Sequence, residues 1–144
     1  IKSNSYLEDV VIDENSQIGP NARLRPKTKI GKKSKIGNFV EIKNSKIGNN
    51  VSIAHLSYVG DSEIGNNVNI GAGTITCNYD GKKKHKTIIK DNVFIGSNTS
   101  LIAPVVIESK SRIGAGSVIT KNIPKNSLAI ERSALKILRN KRSK

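Results

Sequence analysis

Aliphatic residues recur every six positions along almost the whole chain. Ile12, Ile18, Leu24, Ile30, Ile36 and Ile42 keep that spacing. After a one-residue deletion come Ile47, Ile53 and Val59, and after another Ile64, Ile70 and Thr76. Beyond an insertion the series resumes at Ile89, Ile95, Leu101, Ile107, Ile113 and Ile119. A helix would scatter these positions around its axis, and an ordinary sandwich is less regular. The period fits an all-β parallel β-helix over residues 1–123, in which each side is a short strand plus a corner. The fourth residue after each aliphatic one is small or β-branched, as at Ala22, Thr28, Ser34 and Val40, and fills the corner. The Gly that often comes next after the aliphatic residue (Gly31, Gly37, Gly48) is expected to supply corner conformations that other residues resist. Three sides make a coil, so coils led by Ile12, Ile30, Ile47, Ile64, Ile89 and Ile107 stack about 4.8 Å apart into a prism roughly 29 Å tall. General chain physics favours a right-handed crossover, and the spacing does not decide the hand.

Composition narrows the classes. Aromatic residues are only 3% of the chain, so the core must be aliphatic. A single cysteine, Cys77, excludes an internal disulfide framework and suits a reducing compartment. No apolar run is long enough for a bilayer span and no signal peptide is visible, so a cytoplasmic protein without membrane contact is expected. The chain starts at Ile1 without Met and is expected to be a piece of a longer protein. A net charge of +14 reads either as attraction for anionic ligands or as a bias towards Lys, Asn and Ile throughout. Tyr6, Phe39, Tyr58, Tyr79 and Phe94 stand apart from the lysine clusters, so nucleic acid is not the expected partner.

Stacking turns distant residues into neighbours. Arg25 and Lys43 follow vertically paired aliphatic residues, and two adjacent cations fit a phosphate: a planar fork beside a point charge. Glu41 can offset their repulsion or orient a neighbour. His55 closes the next coil's second side and is expected within one coil of that pair, with Tyr58 just after it. The chain has only two histidines. His85, in "KKKHK", reads as solvated. Residues 77–88 exceed the repeat and must protrude, "NYDG" marking a turn. Residues 124–144 form a basic tail, for which a helix is one option.

"RLRPKTKIG", "NFVEIK", "AHLSYVGDSEIG", "NNVNIGAGTITCNYDG", "NVFIGSNTSLIAPV" and "IGAGSVIT" together resemble the C-terminal acetyltransferase domain of the bacterial bifunctional enzymes that join glucosamine-1-phosphate N-acetyltransferase to N-acetylglucosamine-1-phosphate uridylyltransferase. The resemblance implies a left-handed coil, a homotrimer with sites shared between prisms, and acetyl transfer from acetyl-CoA to glucosamine-1-phosphate. It also implies roles. His55 is the general base; Arg25 and Lys43 hold the sugar phosphate; Tyr58, Asn69 and Lys84 surround the glucosamine. Asn78 and Tyr79 lie at the acetyl-transfer centre, and Ala72, Ser97, Ala115 and Arg132 contact acetyl-CoA. No metal is implied for this domain, magnesium belonging to the uridylyltransferase part, which these residues lack. His85 departs from the family, which often has an aromatic there, and so does the tail "RSALKILRNKRSK".

The chemistry suits histidine. Attack on a thioester needs a neutral amine, and an imidazole can take its proton near neutral pH. Glu41 is a candidate partner for the ring's other nitrogen. Backbone N–H groups at a corner would serve the oxyanion. Other readings are a hexapeptide-repeat acyltransferase with another acceptor, a non-catalytic anion-binding scaffold, and a metal enzyme, which two histidines hardly supply.

Overall fold

The computed structural model describes residues 1–139. Their strands form three parallel sheets, with seven, six and seven strands in register from coil to coil. The first sheet starts with Tyr6–Leu7, Arg23–Leu24, Glu41–Lys43 and Tyr58–Gly60, and continues through Ile75–Cys77 to Val118–Ile119. The second pairs Ile12 with Ile30, Ile30 with Ile47, Ile47 with Ile64, Ile64 with Ile89 and Ile89 with Ile107. These are the six coil leaders expected from the period. The third carries Ile18, Ile36, Ile53, Ile70, Ile95 and Ile113 in one column. The fold is an all-β parallel β-helix of hexapeptide repeats, consistent with a left-handed coil.

The interior is one continuous aliphatic cluster, and Thr76, the weakest member of the series, is as buried as its neighbours. Its hydroxyl accepts the Gly60 N–H at 2.8 Å, so a polar residue occupies an aliphatic position without an orphaned group. The small fourth residues line the corners, with Ala22, Thr28, Ser34, Val40, Val51 and Ser57 all buried.

Corner conformation comes mainly from residues other than glycine, Gly73 and Gly116 being exceptions at φ 76 and 77. Left-handed φ values fall on Asn15, Lys33, Asn50, Asn67, Asn92, Lys110 and Asn126 at one edge, and on Asp9, Lys27, Asn44 and Asp61 at another. Asn and Asp enter this region more readily than most residues. Many of the asparagines therefore answer to geometry. They also form ladders: Asn49 Oδ1 accepts the Lys32 N–H, Asn66 Oδ1 accepts the Asn49 N–H, and Asp91 Oδ1 accepts the Asn66 N–H. The glycines after the aliphatic residues serve a different purpose. Gly37 has an ordinary φ, but a Cβ there would run into the Ala54 carbonyl of the next coil. Close approach of stacked coils, not backbone freedom, explains it.

Three boundaries differ from expectation. Cys77 ends a strand and Thr87–Ile89 begins the next, so the protruding arm is 78–86 rather than 77–88. The ladder runs past residue 123, because Leu128–Ala129 pairs with Arg112–Ile113. The tail is not helical over its described part: residues 130–139 are irregular and exposed, their apolar side chains finding no face to bury. Residues 140–144 lie outside the described residues. No helix among the described residues is long and apolar enough to cross a membrane.

Replacing Gly37 with Ala is expected to cost about 1–3 kcal/mol, the usual penalty for overpacking. Thermal or denaturant unfolding of the variant checks this.

Candidate functional site

The residues singled out in the sequence gather at two corners, on opposite edges of the first sheet. At the edge where that sheet ends, Arg25, Lys43 and Lys84 line one cavity of about 340 Å³ together with Pro26, Lys27, Asn44 and Asp61. Arg25 and Lys43 arrive there because Leu24 stacks on Ile42. Lys84 arrives on the arm. Tyr79 bridges Lys84 in antiparallel fashion, and the His85 N–H donates to the Asn78 carbonyl at 2.7 Å, so the arm is a hairpin folded back over the prism. The Lys86 ammonium reaches Glu63 at 2.7 Å and ties down its far end.

Glu41 orients arginine instead of histidine. Its carboxylate takes Arg25 at 3.1 Å and Arg23 at 3.7 Å, because Arg23 pairs with Glu41 across neighbouring strands of the first sheet and Arg25 follows the strand that holds Arg23; the expected Glu41–His55 pairing is not formed. Asp61, which the sequence reading passed over, is the most contacted anion of the pocket. One of its oxygens accepts from Asn44 at 2.6 Å, and the other accepts from Asn78 at 2.6 Å and lies 3.5 Å from the Lys43 ammonium. Burial pushes its carboxyl up, but the amides of Asn44 and Asn78 and the Lys43 charge outweigh that and hold it below the ordinary value. A signal existed: Asp61 lies seventeen residues after Asn44, one coil on in the same corner column. Lys84 is pushed below the ordinary lysine value by its contact with Lys43 and by that residue's charge. Tyr58 reaches this pocket, its hydroxyl lying 3.3 Å from Asn78 Nδ2.

The second group lies where the third sheet turns into the first. His55 pairs in register with Asn38. Ala72, Ser97 and Ala115 continue the column, each directly before the corner residue, as His55 is before Leu56. The three span about 10 Å of axis, and the column reaches about 14 Å from His55 to Ala115. Their N–H groups have no partner among the described residues, whereas those of Gly73, Asn98 and Gly116 beside them bond the preceding coil. Arg132 closes the column, its Nε donating to the Ala115 carbonyl at 2.7 Å. This is a row of unspent backbone donors beside an exposed imidazole, suited to the carbonyl oxygens of an extended ligand.

Within one chain, several residues expected to be neighbours stand apart. His55 is not beside Arg25 and Lys43 within one chain: the strand Tyr58–Gly60 separates the two corners, on the order of 15 Å along the backbone. The reason is that His55 precedes the strand and Lys43 ends one. Asn69 projects from the third sheet, between Ser52 and Phe94, away from the cation pocket. Asn78 and Tyr79 lie with the cation pocket and its arm, not with the Ala72–Ala115 column. His85 is not simply solvated, because its Nε2 lies 2.6 Å from Asp80 Oδ2.

Comparison with known proteins bears on the fold and the family. Residues 6–79 match the GMPPB C-terminal domain, and residues 86–121 match the bacterial transferase hexapeptide (six repeats). The chain belongs to the hexapeptide-repeat proteins of the GMPPB C-terminal domain family. This hexapeptide-repeat chain is 63% identical over 142 residues to the bifunctional protein GlmU of Thermodesulfovibrio yellowstonii, covering 94% of the chain and 31% of that protein. It is 57% identical over 133 residues to GlmU of Acinetobacter baylyi, covering 92% of the chain and 29% of that protein. It thus spans under a third of the length of these relatives. Among solved structures, the repeat superposes on an N-acyltransferase, AntD of Bacillus cereus, in complex with dTDP-4-amino-4,6-dideoxyglucose and coenzyme A. The TM-score is 0.69 at 22% identity, with 96% of this chain and 85% of that one covered. A UDP-N-acetylglucosamine acyltransferase of Francisella novicida gives a TM-score of 0.57 at 16% identity, with 90% and 66% covered. At these identities the likeness shows the fold.

The arm of this hexapeptide-repeat protein has a pH signature. The N–H of Lys83, the His85 ring and the N–H of Lys82 lower the Asp80 carboxyl from 3.8 to about 2. A carboxyl depressed on folding contributes where it is ionised in both states, and the contribution fades as pH falls through the folded value. Exchange protection of the Lys82 and Lys83 amides should therefore hold above about pH 4 and fall away towards pH 2. Asp80→Ala should abolish it at neutral pH, as amide-resolved hydrogen exchange would show.

Proposed function

We propose that this chain transfers the acetyl group of acetyl-CoA to the amine of glucosamine-1-phosphate. The observation that carries the reading is the pairing of a cation pocket sized for a sugar phosphate with a column of free N–H donors led by an imidazole. The 51–63% identity to GlmU proteins over nearly the whole chain supports it.

In this reading Arg25, Lys43 and Lys84 hold the phosphate, with Tyr58 beside the sugar. The Ala72, Ser97 and Ala115 N–H groups receive carbonyl oxygens of acetyl-CoA, and Arg132 closes that end. His55 takes a proton as the amine nitrogen bonds the thioester carbonyl carbon. A corner N–H, best placed at Ala72 one coil from His55, donates to the oxyanion. The oxyanion collapses, the C–S bond breaks, and the thiolate of coenzyme A recovers a proton from the His55 imidazolium. Cys77, which pairs in register with Ile102, has no step here.

The separation of the two corners supports a site shared between chains, as in a homotrimer. Phe39 (59% exposed) and Leu56 (61%) flank His55 as bulky apolar residues in left-handed corner conformations. Such residues are costly there and wasted on water, and burial against a second prism would use them. Asn69, on the third-sheet side of the same corner, then meets the neighbour's acceptor pocket.

His55→Ala should lower turnover by about 10²–10⁴-fold with little change in substrate affinity, the usual loss for a positioned acid–base group. Arg25→Ala should weaken glucosamine-1-phosphate far more than acetyl-CoA, and Arg25→Lys should rescue only in part, because the bidentate fork is lost. Both are read from thiol release in steady-state kinetics. Light scattering should give the mass of three chains. Mixing His55→Ala with Arg25→Ala subunits should restore about a quarter of parental activity, because one site in four of a random cyclic assembly draws both intact residues from neighbours. No recovery on mixing would place both residues of a site in one chain and overturn the shared arrangement.

A further inference from the structure

Asp61 raises a question that the proposed transfer leaves open: why a carboxylate stands inside a phosphate pocket. Its side chain is only 12% exposed, and that of Lys43 beside it 17%. Both oxygens are engaged, with Asn44, Asn78 and Lys43 around them. Its backbone is in the left-handed region at φ 50, as required by the corner. The charged groups facing it come from every packed element. Lys43 is on the adjoining strand, Arg25 and Lys27 one coil lower, and Lys84 on the arm. Lys46, Glu63 and Lys86 lie on the second-sheet side.

We propose that Asp61 is a positioning residue of the acceptor pocket, holding Lys43 and the Asn78 amide in place and allowing Lys43 and Lys84 to stand together before the phosphate binds. The proposal rests on the acceptor reading above and adds a residue to it. Four cations, Arg25, Lys27, Lys43 and Lys84, line one cavity and repel one another while it holds no anion. Glu41 serves Arg25, and Asp61 serves Lys43 and Lys84. The Asn78 amide is fixed as well. Its Nδ2 donates to Asp61 at 2.6 Å and lies 3.3 Å from the Tyr58 hydroxyl, so its Oδ1 is turned away from both. Since Asn78 is the first residue of the arm, the same carboxylate anchors the segment that carries Lys84. With its oxygens already engaged by donors, Asp61 repels an incoming phosphate weakly, and the order it imposes on the cations is the larger effect.

The charge on Asp61 raises the Lys84 titration and that on Lys43 lowers it. Removing Asp61 should therefore move Lys84 further down. The cations must be protonated to hold phosphate, so the alkaline limb of the pH profile of 1/KM should shift to lower pH.

The test is Asp61→Asn, nearly isosteric and uncharged, in the whole chain with assembly confirmed by mass. The KM for glucosamine-1-phosphate should rise about tenfold and that for acetyl-CoA stay within about twofold, as for loss of a charge-assisted hydrogen bond. The Lys84 Cε resonance, assigned through Lys84→Arg, should titrate at lower pH. In a Lys43→Met background the same change should add little to that KM, because the residue acts through Lys43. An unchanged or lower KM for the sugar phosphate, an unmoved Lys84 resonance, or full additivity with Lys43→Met overturns the proposal. Should Asp61→Asn not assemble, Asp61→Glu keeps the charge but displaces it; a raised KM with Lys84 unmoved supports the proposal, and an unchanged KM overturns it. If the parent chain does not turn over glucosamine-1-phosphate, the acceptor reading fails by itself. Calorimetric binding of inorganic phosphate, weaker in Asp61→Asn than in the parent, then still decides the role of Asp61.

Discussion

Everything in this protein depends on the backbone ladder between successive coils. Each coil donates to the one after it through bonds such as Gly31 N–H to the Ile47 carbonyl and Gly71 N–H to the Ile95 carbonyl. Because those bonds hold equivalent residues in register, Ile stacks on Ile and corner on corner. The core is one side chain deep, so no second layer could correct a slip. The corners keep the coil closed by placing a left-handed residue at each turn. Glycines such as Gly37 let adjacent coils approach where any side chain would strike backbone.

The ladder also makes chemistry out of periodicity. A residue type repeated at one position of each coil becomes a column with about 4.8 Å per step, a spacing that suits an extended ligand. At one corner the column is His55, Ala72, Ser97 and Ala115, with three unspent N–H groups. At the next edge it is Arg25 and Lys43, joined by Lys84 from the arm. The rigidity of the prism fixes spacing within a column. It equally keeps the two corners apart, which is why the proposed transfer, needing both, is assigned to a site shared with a second prism.

Charge follows the same logic. The chain is strongly basic, yet its anions are placed where cations crowd: Glu41 at Arg25 and Arg23, Asp61 at Lys43, Glu63 at Lys86, Asp80 at His85. Most of these pairs are exposed and add little to stability. Asp61 differs because it is largely enclosed, with Asn44, Asn78 and Lys43 around it; under the role proposed for it, its weight would be felt in binding.

What the sequence by itself determined was the coil. The six-residue period needs only local pattern, since each aliphatic residue must point inward at its own step, and the six leaders from Ile12 to Ile107 were legible from it. The resemblance in "HLSYVGD" and "GAGTITCNYDG" likewise named candidate site residues that the fold sorts into two columns. Counting alone could not tell which edge of a side a residue occupies. That is why His55 read as a neighbour of Arg25 and Lys43, although a whole strand lies between them. Nor could it show that Glu41 turns to arginine, that His85 meets Asp80, that the asparagines serve the corners, or that Asp61 gathers two amides and a lysine. Those facts depend on where side chains point once coils are stacked, and on an arm whose path no repeat dictates. Direction and proximity across the prism are properties of the closed coil, and only the tertiary structure decided them.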